Sequence, residues 1–186
     1  MRIIDDVMPV IMQHQLHEMT TTTDFHWSFL NDVTFTKEDI LANKMNKPKI
    51  PGFSHLAFNE YRPVSDIMQT MSSMILCMSE KAGANPAELF RVKFGMYLPI
   101  KDAPLHNNMH TDMKCPHTVC LYYVNDADGD TFFFNKSREI VDRVTPKKGR
   151  MVVFDGLTLH ASSMPSKDYR ITLNLGYADP RLVQKV

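Results

Sequence analysis

Hydrophobic and polar residues alternate along much of the second half of the chain. From Arg91 to Leu98, every second residue is apolar (Val92, Phe94, Met96 and Leu98), the two-residue period of a strand with one buried face. Similar alternating or short apolar runs separated by turn-forming residues predict further strands at His55–Tyr61, Thr118–Val124, Thr131–Asn135, Ser137–Val144, Met151–Phe154, Leu157–His160 and Arg170–Tyr177. So many short strands favour a sandwich or jelly roll over a parallel sheet.

The first half of the chain carries the helical patterns. Met8–Met19 reads as a helix whose first turn accommodates Pro9. Val64–Ala82 is longer, and Gly83 ends it; its apolar stripe is formed by Ile67, Met71, Met74, Ile75 and Met78. Short strands are predicted at Arg2–Asp6 and Phe25–Leu30. We therefore expect a mainly β fold with flanking helices (α+β), in which the N-terminal helices pack on one outer face.

Length and composition fit one globular unit. A chain of 186 residues is expected to form a single domain. Within it, residues 1–89 would supply the helices and supporting strands, and residues 90–178 the β core. Lysine and arginine number 21, as do aspartate and glutamate. This zero net charge argues against nucleic acid as a partner, because nucleic-acid binders usually carry a basic excess.

The cysteines and the apolar runs bear on the compartment. Cys77, Cys115 and Cys120 are odd in number and lack Cys-x-x-Cys spacing, which favours reduced thiols in a cytoplasmic protein. No signal-peptide pattern opens the sequence, and no apolar run approaches the ~20 residues of a spanning helix. The expectation is a cytoplasmic protein that does not interact with membranes.

Metal chemistry is suggested by His110-Thr111-Asp112. In extended backbone, residues one position apart point to the same face, and His160 lies in a later predicted strand. Two histidines and one carboxylate form the facial set that holds non-haem Fe(II) with open coordination positions. A polar turn leads from His160 to Arg170, so both should return to one neighbourhood. Arg170 and Thr172 would share a strand face and form a receptor for a carboxylate.

A His-x-Asp triplet is weak by itself, since short motifs recur by chance. The surrounding motifs, taken in order from Phe90 to Tyr177, make the chain resemble the Fe(II)/2-oxoglutarate-dependent dioxygenases, and within them the prolyl 4-hydroxylase-like group. The matching residues are His110-Thr111-Asp112, Val119 to Asn125, Gly129 to Phe132, Lys148 to Asp155, Leu159 to Ser162 and Arg170 to Leu175. One difference is Arg170, where many prolyl 4-hydroxylases carry lysine.

The resemblance implies a double-stranded β-helix, a jelly roll whose mouth holds the metal. His110, Asp112 and His160 would bind Fe(II). Arg170, helped by Thr172, would bind the distal carboxylate of 2-oxoglutarate; Tyr123 matches a tyrosine that contacts that carboxylate, and Tyr97 is a weaker match. The implied activity is O2-dependent hydroxylation of a C–H bond in a protein, peptide or amino acid, including prolyl 4-hydroxylation, with release of succinate and CO2. Ascorbate is a candidate reductant.

Three other functions stay open. An oxidative demethylase of nucleic acid would continue past its arginine as Arg-x-Asn-x-Thr-x-Arg, whereas here Asn174 is followed by Gly176. A non-enzymatic, metal-free barrel would lack one of the ligands, and all three are present. A cupin-like Zn or Mn binding protein has no need of Arg170 beside Thr172.

Two loops are expected to border the mouth of the site and to order on substrate binding. Phe35–Phe53 is an irregular excursion with a helical turn near Lys37–Asn43, and Pro99–Asn108 is a polar loop. Lids commonly come from such segments.

Overall fold

A computed structural model describes residues 1–33 and 50–179 of the chain. Two helices, a short 3-10 turn at Pro86–Glu88 and eleven strands lie within those ranges. The helices are α1 (Val10–Thr21) and α2 (Ile67–Ala82). The strands are β1 (Arg2–Ile4), β2 (Ser28–Leu30), β3 (Gly52–Asn59), β4 (Arg62–Pro63), β5 (Leu89–Tyr97), β6 (His117–Tyr123), β7 (Thr131–Phe134), β8 (Ile140–Val144), β9 (Met151–Asp155), β10 (His160–Ser162) and β11 (Arg170–Ala178).

The described strands form two antiparallel sheets. The larger has the order β1-β9-β6-β11-β5-β3-β2, with β4 paired to β3, and the smaller has the order β10-β7-β8. Val119, Leu121 and Tyr123 of β6 cluster with Phe133 of the smaller sheet. Apolar side chains from both sheets therefore fill the space between them. The predicted mainly β jelly roll is confirmed.

The opposite face of the large sheet is covered by the helices. Leu16 of α1 and Met78 of α2 belong to the same buried cluster as Val92, Phe94 and Leu173. Burying one such side chain stabilises the fold by about 1.5–3 kcal/mol. The prediction that the N-terminal helices pack on one face is thus confirmed. Because Val92 and Phe94 point to the helices, the alternate residues of β5 face the interior of the jelly roll.

Helix α2 ends where its sequence predicts. Gly83 has φ +67°, the left-handed conformation that favours glycine, and its N–H donates to the carbonyl of Glu80. Ala84 N–H reaches the Ser79 carbonyl at 2.9 Å. These bonds satisfy carbonyls that the helix itself leaves without partners.

Three predicted strands begin three residues later in the structure than their sequence patterns indicate. Phe25–Leu30 is a strand only at Ser28–Leu30, because Phe25 turns inward to pack on Phe94 with ring centroids 5.3 Å apart. Ser137–Val144 begins only at Ile140, since the Asn135 side chain accepts from Glu139 N–H and closes a turn. The strand predicted at Leu157–His160 instead begins at His160.

The last difference has a local cause. Asp155 Oδ1 accepts from Leu157 N–H at 2.9 Å, and the Asp155 carbonyl accepts from Thr158 N–H at 2.8 Å. An aspartate that bonds the backbone two residues on forms a turn, so the strand cannot start before it closes. The predicted helical turn at Lys37–Asn43, and residues 35–49 of the predicted Phe35–Phe53 excursion, lie outside the described residues. The last two residues of that excursion, Gly52 and Phe53, are instead the start of β3.

In the described part of the chain, neither helix has the length and apolar character needed to cross a membrane.

Candidate metal centre and co-substrate pocket

His110 and His160 face each other across an isolated antiparallel bridge. Each N–H donates to the other's carbonyl, at 2.9 Å from His110 and 3.0 Å from His160. In such a pair the two side chains emerge on the same face of the ladder, and the ring centroids lie 4.5 Å apart. The backbone alone therefore places the two imidazoles side by side.

The ring nitrogens have defined roles. Nδ1 of His110 lies 3.1 Å from the Asn108 carbonyl, and Nδ1 of His160 lies 2.9 Å from the Thr158 carbonyl. A carbonyl only accepts, so each Nδ1 carries the proton and each Nε2 keeps its lone pair for a metal. Burial, reinforced by the neighbouring His110, lowers the pKa of His160 to about 4. The His160 imidazole is therefore neutral near pH 7, as a metal ligand must be.

Asp112 completes the group. Its Oδ2 lies 4.0 Å from His160 Nε2, and one ligand atom from each of the three residues lies within 4.8 Å of the others. Burial alone would raise the pKa of Asp112, but the nearby His160 and His110 and a hydrogen bond from Asn174 outweigh it and hold the pKa below its usual value. An ionised carboxylate beside imidazole nitrogens is the donor set expected for Fe(II).

Arg170 lies at the start of β11 in the same pocket. It is only 2% exposed, and its guanidinium carbon lies 5.6 Å from the ring centroids of both Tyr97 and Tyr123. One terminal nitrogen donates to Thr131 Oγ1 at 2.9 Å. The Arg170 Nε has no hydrogen-bond partner among the described residues, and none of their carboxylates pairs with this cation. A buried guanidinium in this state is suited to a carboxylate ligand.

Thr131 links Arg170 and Tyr123, two residues that the sequence predicted to bind the co-substrate. Thr131 itself was not predicted as a site residue. Its Oγ1 accepts from Arg170 and, at 2.8 Å, from the Tyr123 hydroxyl. A hydroxyl has two acceptor sites, so its own proton remains available to a ligand. Tyr123 thus reaches Thr131, whereas Thr172 and Tyr97 line the pocket directly. The sequence offered one signal, the position of Thr131 inside the Gly129 to Phe132 motif.

Gly129 leaves room for the side chain of Arg170. A Cβ at this position would lie 2.8 Å from the Ser163 carbonyl oxygen and 3.2 Å from Arg170 Cδ. The first distance is shorter than normal contact, so only glycine fits without displacing the backbone. Two positions of the Asp128-Gly129-Asp130-Thr131 segment therefore shape the site of Arg170. Gly129 leaves space for its side chain, and Thr131 accepts its hydrogen bond.

The end of the predicted Pro99–Asn108 loop lies beside the site. Asn107 is 3% exposed; its N–H donates to the Ser162 carbonyl at 2.7 Å, and its side-chain amide donates to Ser162 Oγ at 3.0 Å. Ser162 Oγ in turn donates to the Tyr97 hydroxyl at 3.2 Å. This loop is thus tied to the pocket wall through Ser162.

No protein-family model and no curated protein sequence matches the chain. Solved structures do. A Pseudomonas putida prolyl-4-hydroxylase is 13% identical, with a TM-score of 0.59 over 96% of this chain and 92% of that one. The alpha-ketoglutarate-dependent epimerase SnoN from nogalamycin biosynthesis is 13% identical, with a TM-score of 0.61 over 95% and 77%.

A 2OG-Fe(II) oxygenase family oxidoreductase from Burkholderia pseudomallei is 12% identical, with a TM-score of 0.56 over 89% of this chain and 90% of that one. Identities this low establish the fold and nothing finer. The chain adopts the jelly-roll fold that these oxygenase structures share.

Proposed function

We propose that the chain is an Fe(II)- and 2-oxoglutarate-dependent dioxygenase that hydroxylates a C–H bond. The observation that carries this is the combination of His110, Asp112 and His160 with Arg170, a buried cation whose Nε has no acceptor among the described residues. A cupin-like metal protein would need the three ligands but not the arginine.

The pocket residues fit both Fe(II) and 2-oxoglutarate. Two histidines present Nε2, and Asp112 supplies negative charge, which matches the preference of Fe(II) for mixed nitrogen and oxygen ligands. Arg170 offers its guanidinium to the distal carboxylate of 2-oxoglutarate, and Thr131 and Thr172 offer hydroxyls beside it. With both groups bound, the iron would activate O2; one oxygen atom would enter the C–H bond, and the other would enter succinate as 2-oxoglutarate loses CO2.

The protein side chains have separate tasks in this scheme. The Nδ1–H bonds of His110 and His160 to backbone carbonyls keep both rings in the ligating orientation. Asn174 donates to Oδ2 of Asp112 and so holds this carboxylate in place beside the imidazole of His160. Arg170 aligns the co-substrate, and the rings of Tyr97 and Tyr123 shield the guanidinium from water, which strengthens its attraction to a carboxylate.

For the prime substrate we propose a protein, peptide or free amino acid, with proline among the candidate residues. The support is the similarity to the motifs of the prolyl 4-hydroxylase-like group and to the fold of the Pseudomonas putida prolyl-4-hydroxylase.

The test is succinate formation by the purified chain with Fe(II), ascorbate, 2-oxoglutarate and O2, first without a prime substrate and then with a peptide and amino-acid panel. We expect slow uncoupled turnover that a substrate accelerates. Asp112→Ala should abolish it, and His106→Ala, which changes a histidine outside the ligand group, should retain it. Tight Fe(II) binding without any 2-oxoglutarate consumption would reject the dioxygenase in favour of a metal-binding barrel.

A further inference from the structure

Two further cations, Lys93 and Arg91, line the pocket that contains the metal ligands. Both belong to β5, where Val92 and Phe94 point outward into the helix-covered core. The alternation of the strand therefore directs Arg91 and Lys93 inward, and both are partly buried. An interior position is costly for a cation unless something compensates its charge.

The described residues provide little compensation. None of their carboxylates forms an ion pair with Lys93 or Arg91. Asp112 is the one carboxylate among the described residues that line the pocket, and it belongs to the metal-ligand group. Burial and the positive charge of Arg91 lower the pKa of Lys93, and Asp112 only partly offsets them. An additional anion would relieve this imbalance.

The proposed iron and co-substrate do not supply that anion. A divalent cation and the 2-oxoglutarate dianion cancel in charge, and Asp112 balances Arg170. Two positive charges, those of Lys93 and Arg91, then remain in a partly enclosed pocket, where electrostatic complementarity selects a ligand of opposite sign.

The strand register separates this pair from the co-substrate end. Arg170 is opposite Tyr97, Asn174 is opposite Lys93, and Gly176 is opposite Arg91. Four residues of strand separate the first pair from the second, or about 13 Å. Because Asn174 also holds Asp112, the metal-ligand group lies alongside Lys93. A 2-oxoglutarate molecule that meets Arg170 with one end and the metal with the other does not extend past the metal to Arg91.

We propose that Lys93 and Arg91 bind an oxyanion of the prime substrate, a carboxylate or a phosphate, and so make the enzyme selective for anionic substrates. This inference rests on the proposed function. Carboxylates and phosphates both carry the negatively charged oxygens that a pair of cations recognises. The reacting C–H bond lies between the bound oxyanion and the metal. The competing role for Lys93 is electrostatic support of Asp112, which would affect every substrate equally.

The first measurement separates this proposal from the proposed function. Calorimetry with Zn(II) as a redox-silent metal measures 2-oxoglutarate binding to wild type, Lys93→Gln, Arg91→Gln and Lys81→Gln, an exposed control on α2. Equal affinity in all four proteins is the expected result. Loss of metal or co-substrate binding in Lys93→Gln would assign Lys93 to support of Asp112 and overturn the proposal. Absence of 2-oxoglutarate binding in wild type would reject the proposed function instead.

The second measurement compares substrates in matched pairs, using peptides and amino acids with aspartate against asparagine, glutamate against glutamine, and phosphoserine against serine. We expect the charged member of a pair to have a kcat/KM higher by roughly tenfold or more, the size of one charged hydrogen bond. The carboxylate and phosphate pairs distinguish the two oxyanions. Lys93→Gln and Arg91→Gln should bring the ratio towards one, and Lys81→Gln should leave it unchanged. Equal turnover within the pairs overturns the proposal.

A third measurement detects oxyanion binding directly. It gives a result even if no substrate in the panel turns over, or if the protein has no 2-oxoglutarate activity. Lysines carrying 13C-methyl labels are observed by NMR during titration with inorganic phosphate, with 2-oxoglutarate at saturation wherever it binds. The Lys93 signal is identified by its loss in Lys93→Gln. A saturable shift of Lys93, absent at Lys81, supports the oxyanion site. Equal shifts at both lysines would indicate non-specific screening and overturn it.

Discussion

Asn174 donates a hydrogen bond from its side-chain amide to Oδ2 of Asp112 at 3.0 Å. Asn174 lies on β11, the strand that also carries Arg170 and Thr172. One strand therefore supports the candidate metal ligand Asp112 and supplies the proposed carboxylate receptor. A displacement of β11 would disturb both together.

Replacing Asn174 by alanine should weaken metal binding without unfolding the chain. Residues that hold a ligating carboxylate typically contribute about 10–100-fold in metal affinity, so we expect a loss of that size in Fe(II) or Zn(II) titrations. Asn135→Ala, which removes a hydrogen bond to exposed Glu139, is the matched control and should bind normally. Equal metal affinity in both variants would show that Asp112 does not depend on Asn174.

Arg170 should determine the apparent KM for 2-oxoglutarate. Arg170→Ala removes a buried charged donor, for which we expect a loss of ~2–4 kcal/mol, or roughly 30- to 1000-fold. Arg170→Lys keeps the charge but loses the fork of donors, and its effect should be smaller. Tyr123→Phe removes one neutral hydroxyl and should cost only ~1 kcal/mol. Metal titration should be unchanged in all three. If Arg170→Ala left 2-oxoglutarate turnover as it was, the co-substrate assignment would be wrong.

Thr131→Val tests the shared acceptor. Valine has a similar shape but cannot accept from Arg170 or Tyr123, and buried donors left without partners cost about 1–3 kcal/mol. We expect Tm to fall by about 2–10 °C and the KM for 2-oxoglutarate to rise. Thr145→Val, on the exposed surface, should change neither. A Thr131→Val protein with wild-type KM would remove Thr131 from the co-substrate site.

The metal-free protein should become less stable in mild acid because of His160. Its pKa is lowered to about 4, first by burial and then by His110, whereas a histidine of the unfolded chain titrates near 6.5. Between these values only the unfolded state takes up the proton. The contribution of neutral His160 is therefore complete above about pH 6.5 and decreases towards pH 4, by at most about 1.4 kcal/mol per pH unit.

Urea unfolding with EDTA at pH 7 and pH 5 measures this dependence. His160→Leu removes the titrating group and should have the shallower dependence of unfolding free energy on pH. Parallel profiles for the two proteins would mean that other groups account for the acid sensitivity.

The parts of the fold that the sequence predicted well are those with strict periodicity. β5 alternates from Arg91 to Tyr97 and β11 from Arg170 to Ala178. One face of each strand meets the helices and the other faces the pocket, so apolar and polar residues occupy alternate positions. The start of β10 was misplaced because the turn that delays it depends on the Asp155 side chain, and no periodicity registers such a bond.

The site could be predicted to the extent that its residues carry distinctive chemistry. His110, Asp112, His160 and Arg170 were found by residue type and order, and they remain predictions as functional residues. Thr131 and Asn174 act through partners 39 and 62 positions away in sequence. Threonine and asparagine are common in strands and turns, so only a contact distinguishes them, and a single sequence holds no record of contacts.

The bridge between His110 and His160 makes the proposed metal centre dependent on strand register. Side chains alternate with a period of two, so sliding one segment by a single residue would turn one imidazole to the opposite face. A misregistered jelly roll would therefore lose one of the two nitrogen ligands proposed for the metal when it lost its pairing. Metal binding would then stabilise the correctly paired chain relative to chains whose strands are shifted by one residue. This stabilisation would act during folding, before any substrate binds.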